Sequence, residues 1–285
     1  MKIKIKFYKY HGCGNDFIII DETERQIIPD KLKGKVSSIV CKRRFSIGAD
    51  DVLYLVPSNK ADAQMKIFEP DGTEANMCGN GIRCAAKYLC EKIGKNQVKI
   101  ETRAGVKLIE KIGEEFKVNM GQLLKNYGEL KEFVKMNFKE DEELIDKQIK
   151  FPLIGEIKVS IVSTGEPHIV IFVEDVEKED IEKYAKVIAR NRQIFPKGIT
   201  VNLVQILNEK HLKIRTYERG VWGETLACGT GATASAAVAY LLNKVKEKEV
   251  YIEARGGKLK IIIDKNLYMI GPAQKVYSGE ITLDI

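Results

Sequence analysis

The octapeptide GNDFIIID at residues 14–21 returns as GEPHIVIF at 165–172, and two further pairs of segments keep the same spacing. Gly14 and Gly165 are 151 residues apart, Cys78 in ANMCGNG and Cys228 in LACGTG are 150 apart, and Val98 in VKIETRAGVKL and Val250 in VYIEARGGKLK are 152 apart. Three ordered matches at nearly one separation mark an internal duplication. This limits the fold more than any local pattern does, because the 285 residues must divide into two copies of one unit, each long enough to bury its own core.

Each copy reads as strand, turn, strand, then QMKIFEPDG or HLKIRTYERG as a strand ending in a turn, then a CGxG loop, a helix and further strands. The helices expected at 82–93 and 232–242 are small or apolar on most faces, so each belongs at the centre of its copy. The predicted fold class is α/β (α+β): two pseudo-symmetric domains, each a mixed, mostly antiparallel sheet wrapped around a central helix. The polar stretch 122–150 lacks a counterpart and carries the crossing between copies. The second copy is complete near Pro272, so VYSGEITLDI is expected to return to the first. The domains predicted are 1–122 with 274–285, and 123–273.

Composition removes several functions. The 47 Lys and Arg are interleaved with 40 Asp and Glu, leaving a charge of +7 with no basic stripe, so nucleic acid is not an expected partner. No run of about eighteen apolar residues occurs, and MKIKIKFYKY alternates like a half-buried strand, so neither a membrane span nor an export signal is expected. A cytoplasmic location follows, with reduced thiols, and the six cysteines need separate explanations. Cys78, Cys84 and Cys90 step by six residues, which turns a helical side chain by about 240°, so they do not share a metal. Cys41, Cys84 and Cys90 read as small buried hydrophobes. Cys13 sits in a Gly-flanked turn that assigns it neither role.

Cys78 and Cys228 stand apart because each opens a helix, where the helix dipole and free backbone N–H groups favour thiolate over thiol. The following Gly-Asn-Gly and Gly-Thr-Gly let N–H groups converge as a nest for a carboxylate or phosphate. One such loop is a tight turn as readily as a site. Two equivalent loops on opposite walls of one cleft would place two thiols there. One thiolate can then take a proton from carbon while the opposite thiol protonates the other face, inverting configuration with no cofactor and no metal. An amino acid with its α-carboxylate in the nests is the expected substrate. Glu218 and Arg219, in YERG, precede the second loop, and His168 follows the turn that matches Asn15.

The segments HGCGNDF (11–17), PDGTEANMCGNGIRC (70–84), PHIVIFVED (167–175) and YERGVWGETLACGTGATA (217–234) resemble the diaminopimelate epimerase family over nearly the whole chain. The resemblance implies cofactor-independent conversion of LL- to meso-diaminopimelate in lysine biosynthesis, by a homodimer. It implies that Cys78 and Cys228 are the acid/base pair, and that Asn15, Gly79, Asn80, Gly229 and Thr230 hold the reacting end. It further implies that Glu218 and His168 tune the thiols and that Arg219 binds the distal carboxylate. The chain departs from the family at the distal end, where Glu69, Glu166 and Thr200 stand in positions that are typically Asn. Two carboxylates near a substrate carboxylate would repel it by about 1 to 4 kcal/mol at 4 Å. They would suit a basic amino acid such as lysine or ornithine, whereas Arg219 favours a distal carboxylate.

Three other readings compete. A cysteine hydrolase would use His11 or His168 as base and would need no second equivalent thiol. A non-catalytic amino-acid-binding module would exchange no α-proton. Isomerases of small ring compounds on a similar duplicated fold are expected to lack the two thiols.

Overall fold

The computed structural model describes residues 2–285. It forms two compact units, one running to Val118 and taking in Gly271–Ile285, the other Asn119–Ile270. The chain opens with β1 (Lys2–Gly12), β2 (Asn15–Asp21), α1 (Asp30–Val40), β3 (Asp51–Val56), β4 (Ala63–Phe68), β5 (Glu74–Ala75), α2 (Gly79–Ile93), β6 (Gln97–Thr102), β7 (Gly105–Ile112) and β8 (Glu115–Gly121). It continues with α3 (Tyr127–Leu130), β9 (Lys147–Phe151), β10 (Gly155–Ser163), β11 (Pro167–Phe172), α4 (Ile181–Ile188), β12 (Thr200–Asn208), β13 (His211–Glu218) and β14 (Gly223–Thr225). The last elements are α5 (Gly229–Leu241), β15 (Glu249–Ala254), β16 (Gly257–Ile263), β17 (Leu267–Pro272) and β18 (Gln274–Asp284).

In the first unit β1 lies antiparallel between β2 and β18, with Lys2 opposite Asp284. β2 runs parallel to β3 and β4 parallel to β6, while β3–β4 and β6–β7 are antiparallel. A parallel pair cannot be closed by a hairpin, so each needs a crossover. α1 supplies the first crossover and α2 the second. The second unit repeats the scheme: β10 is flanked antiparallel by β9 and β11, β11 runs parallel to β12 across α4, and β13 runs parallel to β15 across α5. The class is therefore mixed α and β, as the duplication implies. α1 and α4 are additions to the sequence reading, and their starts at Asp30 and Ile181 keep the repeat spacing.

The double crossover explains why the central strands are apolar without alternation. Ile18 and Ile20 of β2 and Val52 and Tyr54 of β3 pack with Val36 and Val40 of α1. Their neighbours Phe17 and Leu53 face the other way, toward Gly81 at the start of α2. α2 is buried from Gly79 to Cys90 save for Lys87, and it ends at Gly94, whose φ of 69° is the usual left-handed helix stop. α5 is made of small residues and is buried without interruption from Gly231 to Ala239. In the second unit Ile169 and Ile171 of β11 and Val201 and Leu203 of β12 pack with Ile181, Ala185 and Ile188 of α4. Among the described residues no helix is long and apolar enough to cross a membrane.

Candidate active site

Both CGxG cysteines are N-cap residues, extended at φ −134° for Cys78 and −116° for Cys228, so each sulfur sits at the positive end of a central helix. Burial pushes the other four thiols up, Cys41 to about 12, and desolvation also raises Cys13, Cys84 and Cys90. Those four are packing residues whose thiolate forms are suppressed.

In the first unit the Cys78 sulfur accepts the Gly81 N–H at 3.4 Å and lies 3.7 Å from Asn15 Oδ1. Asn80, only 2% exposed, donates its Nδ2 to the same Asn15 oxygen at 3.2 Å. Asn15, Cys78, Gly79 and Asn80 therefore form one cluster. Beneath it lies Arg83, fully buried, donating to Asn80 Oδ1 at 2.9 Å, to the Gly79 carbonyl at 3.2 Å and to the Pro272 carbonyl at 3.2 Å. On the other side Asn15 Nδ2 donates to Asp50 Oδ2 at 2.8 Å, and Asp50 Oδ1 accepts from Arg43 at 2.8 Å. Burial alone would raise the Asp16 carboxyl, but hydrogen bonds from Arg43 and Lys9 outweigh it and hold it at about 2. Glu69 follows β4, where its backbone N–H meets the Thr73 carbonyl at 2.9 Å and its carboxylate accepts the Thr73 hydroxyl at 3.4 Å.

In the second unit Cys228 is 4% exposed, and its sulfur lies 3.4 Å from the Thr230 hydroxyl. The Thr230 carbonyl accepts the Thr164 hydroxyl at 3.2 Å, tying the Gly229–Thr230 turn to the β10–β11 corner. His168, fully buried on β11, has its Nδ1 3.3 Å from Asn202 Nδ2. The amide orientation is settled by its other bonds: Nδ2 also donates to the Ile169 carbonyl at 3.2 Å, and Oδ1 accepts the Thr216 hydroxyl at 3.0 Å. His168 Nδ1 is therefore the acceptor and its proton is on Nε2. Burial, aided by the Arg219 charge, lowers its pKa to about 3, so the ring is neutral at physiological pH. Glu218 ends β13, half-buried, and its carbonyl accepts the Trp222 N–H at 2.8 Å. Thr200 accepts the Arg219 backbone N–H at 3.1 Å, while the Arg219 guanidinium ion-pairs with Glu166. Glu166, Thr200 and Arg219 are thus brought together, and the Glu166 charge is met by a cation within its own unit.

Asp50, Arg43, Arg83 and Asn202 are residues the sequence reading did not single out. The signal was present for Arg83 alone, as one charge inside the small-residue start of a helix expected to be buried. A groove of about 750 Å³ bordered by Lys4, Lys6, Asp21, Glu24 and Lys92 includes neither cysteine, and several of its charges are paired, Lys92 with Asp21 and Glu24 and Lys4 with Glu280. Among the described residues no three His, Cys, Asp or Glu side chains converge as metal ligands.

The family described as diaminopimelate epimerase matches residues 7–125 and 160–276, one stretch in each copy. A diaminopimelate epimerase of Methanocella arvoryzae is 45% identical over 289 residues, covering 99% of this chain and 98% of its own. One of Methanocaldococcus jannaschii is 38% identical over 293 residues, covering 97% and 98%. Among solved structures, a hydroxyproline epimerase from Agrobacterium vitis with bound trans-4-hydroxy-L-proline aligns with a TM-score of 0.67 at 17% identity, over 99% of this chain and 92% of that one. A probable proline racemase from Agrobacterium radiobacter aligns at 0.68 with 16% identity, over 98% and 93%, and these two likenesses speak for the fold.

Proposed function

The chain belongs to the diaminopimelate epimerase family, and from that premise we propose that it interconverts LL- and meso-diaminopimelate in lysine biosynthesis, with Cys78 and Cys228 as its two acid/base groups. The observation that carries the proposal is that each copy of the duplicated unit opens its central helix with a cysteine and a Gly-X-Gly turn.

One cysteine, as thiolate, removes the α-proton: an S–H bond forms as the Cα–H bond breaks, and the electron pair passes toward the substrate α-carboxylate. That charge is met by N–H groups at the helix starts, with Asn15, Gly79, Asn80, Gly229 and Thr230 as the groups holding the reacting end. The second cysteine, as thiol, gives its proton to the opposite face and is left as thiolate. Configuration is inverted, and the two sulfurs have exchanged protonation states. The steps balance without a cofactor. General acid–base work of this kind accounts for about 10²–10⁴-fold of the acceleration from each group. His168, neutral with Nδ1 committed to Asn202, serves as a fixed dipole near the second loop and not as the base a hydrolase would need.

Arg219 is the group for the distal carboxylate, and Glu218 lies beside it in sequence. The Glu166–Arg219 pair changes the charge argument made from sequence, because Glu166 cancels one cation and does not stand as an added anion. A neighbouring plus and minus suit a distal amino-acid group that is itself a zwitterion. The competing reading, a basic amino acid with no distal carboxylate, rests on the same pair. Both are tested with LL-diaminopimelate, L-lysine and L-2-aminopimelate as substrates. Turnover of diaminopimelate well above the other two, reduced about tenfold in Glu166→Gln, supports the zwitterion reading. Faster turnover of lysine than of diaminopimelate would replace it.

The need for reduced thiols fits a cytoplasmic location. The family resemblance supports a homodimer, which sedimentation at micromolar concentration tests.

A further inference from the structure

At the Cys78 loop two amides lie head to tail between two fixed charges. Arg83, fully buried, donates to Asn80 Oδ1 at 2.9 Å, so Asn80 must turn its Nδ2 outward. That Nδ2 meets Asn15 Oδ1 at 3.2 Å, and Asn15 Nδ2 in turn donates to the Asp50 carboxylate at 2.8 Å. Asp50 is itself held, by the Asp16 backbone N–H at 3.0 Å and by Arg43 at 2.8 Å. An amide side chain can ordinarily flip, exchanging a donor for an acceptor at almost no steric cost. Here neither can. A flipped Asn80 would press its NH₂ on a guanidinium, and a flipped Asn15 would press its carbonyl on a carboxylate.

We infer that Asp50 and Arg83 are positioning residues that lock the amides of Asn15 and Asn80 in one orientation, keeping the Asn15 carbonyl oxygen on the Cys78 sulfur. The carbonyl gives the Cys78 proton a fixed acceptor direction, opposite in sense to the Gly81 N–H that the same sulfur accepts. Sulfur geometry is thereby set before substrate arrives, as a preorganised site requires. The sequence spacing shows why the device was not legible: Asn15 is 35 residues from Asp50 and 65 from Asn80. The inference rests on Cys78 being one of the two acid/base groups, but its alkylation test does not need the substrate to be known.

The test uses the full chain with Cys228→Ser, so that Cys78 is the half-exposed thiol while the other cysteines are buried. Its alkylation by iodoacetamide is followed against pH. The charged groups around the loop are Arg83 on its own helix and Asp50, Asp16, Arg43 and Lys9 from the facing strands and loop, and only one is altered at a time. In Asp50→Asn the partner at position 50 accepts or donates equally, so Asn80 alone still holds Asn15; the Asn15 NH₂ turns to the sulfur part of the time, and with one carboxylate fewer beside the loop the profile moves to lower pH by about one unit. The exchange Asn15→Asp with Asp50→Asn restores the hydrogen bond between the two positions but fixes an acceptor oxygen on the sulfur, so the profile returns to, or passes above, that of the parent. A role confined to folding would change thermal stability and leave these profiles in place. In the enzyme with both cysteines, Asp50→Asn lowers kcat for LL-diaminopimelate about 10- to 100-fold with KM changed less than about threefold. Should Asp50→Asn fail to fold, Arg83→Lys, which keeps the charge and loses the fork, reads the other end by the same two measurements. Coincident alkylation profiles for parent and variant would overturn the inference. A parent that turns over no diaminopimelate would count against the epimerase reading alone.

Discussion

The two CGxG loops have one covalent plan and two kinds of support. Cys78 is half-exposed and rests on a polar network anchored by a buried arginine and a carboxylate, whereas Cys228 is 4% exposed on a helix of small apolar residues. Under the first loop the second glycine, Gly81, meets Leu53 and Phe17; under the second, Gly231 meets the Asn202 amide that also holds His168. After duplication the helix-capping thiol and its glycines were retained in both copies, while the surroundings diverged as each core allowed. The shared part is what the proposed proton transfer needs. The divergent part is how each unit holds it still.

The largest expected effect tests whether the loops are equivalent in function. Cys78→Ala and Cys228→Ala should each lower turnover of LL-diaminopimelate by about 10²–10⁴-fold or more, measured by chiral separation of the product. A variant that kept most of its activity would make the loops unequal and the two-thiol mechanism untenable.

The next effect separates their supports. A Cβ on Gly231 would lie 2.4 Å from Asn202 Oδ1, an atom held by the Thr216 hydroxyl, so Gly231→Ala should cost about 1–3 kcal/mol of stability. A Cβ on Gly81 would lie 3.3 Å from the Leu53 and Phe17 side chains, which can give way, so Gly81→Ala should stay within about 1 kcal/mol of the parent. Urea unfolding of the two variants reads the difference.

A smaller effect belongs to the second unit alone. His168 has a native pKa lowered to about 3, below its unfolded value near 6.5, so the unfolded chain takes up the proton first as pH falls. Its contribution is neutral above pH 6.5 and erodes stability from there down toward 3, at most about 1.4 kcal/mol per pH unit. Between pH 7 and 5 the parent should therefore lose about 2 kcal/mol more than His168→Gln in urea midpoints converted with a common slope. Equal losses would mean that the ring titrates normally.

Much of this was legible in the residues. The spacing of Gly14 with Gly165 and of Cys78 with Cys228 carried the duplication and the two central helices. α1 was not read because DKLKGKVSSIV mixes lysines with a glycine; Lys33 is nonetheless fully buried, its ammonium paired with Glu22 at 2.6 Å. The cysteines were legible because a thiol before Gly-X-Gly is a local pattern. Asp50 and Asn202 were not, since each acts through a partner more than thirty residues away across parallel strands. The distal end was half legible: Glu166 stood out in the sequence, and only the fold gave it Arg219 as a partner.

The central claim is that two thiols of equal standing protonate and deprotonate one α-carbon from opposite faces. It is tested most directly by following LL-diaminopimelate in D₂O at early times. Two-thiol chemistry predicts that nearly all of the meso product carries deuterium at the inverted carbon while the remaining LL substrate keeps its protium, because the proton lost to one sulfur is not the one returned by the other. Product that retains the substrate's own α-proton, or LL substrate that exchanges as fast as product forms, would contradict it by pointing to a single group working on both faces.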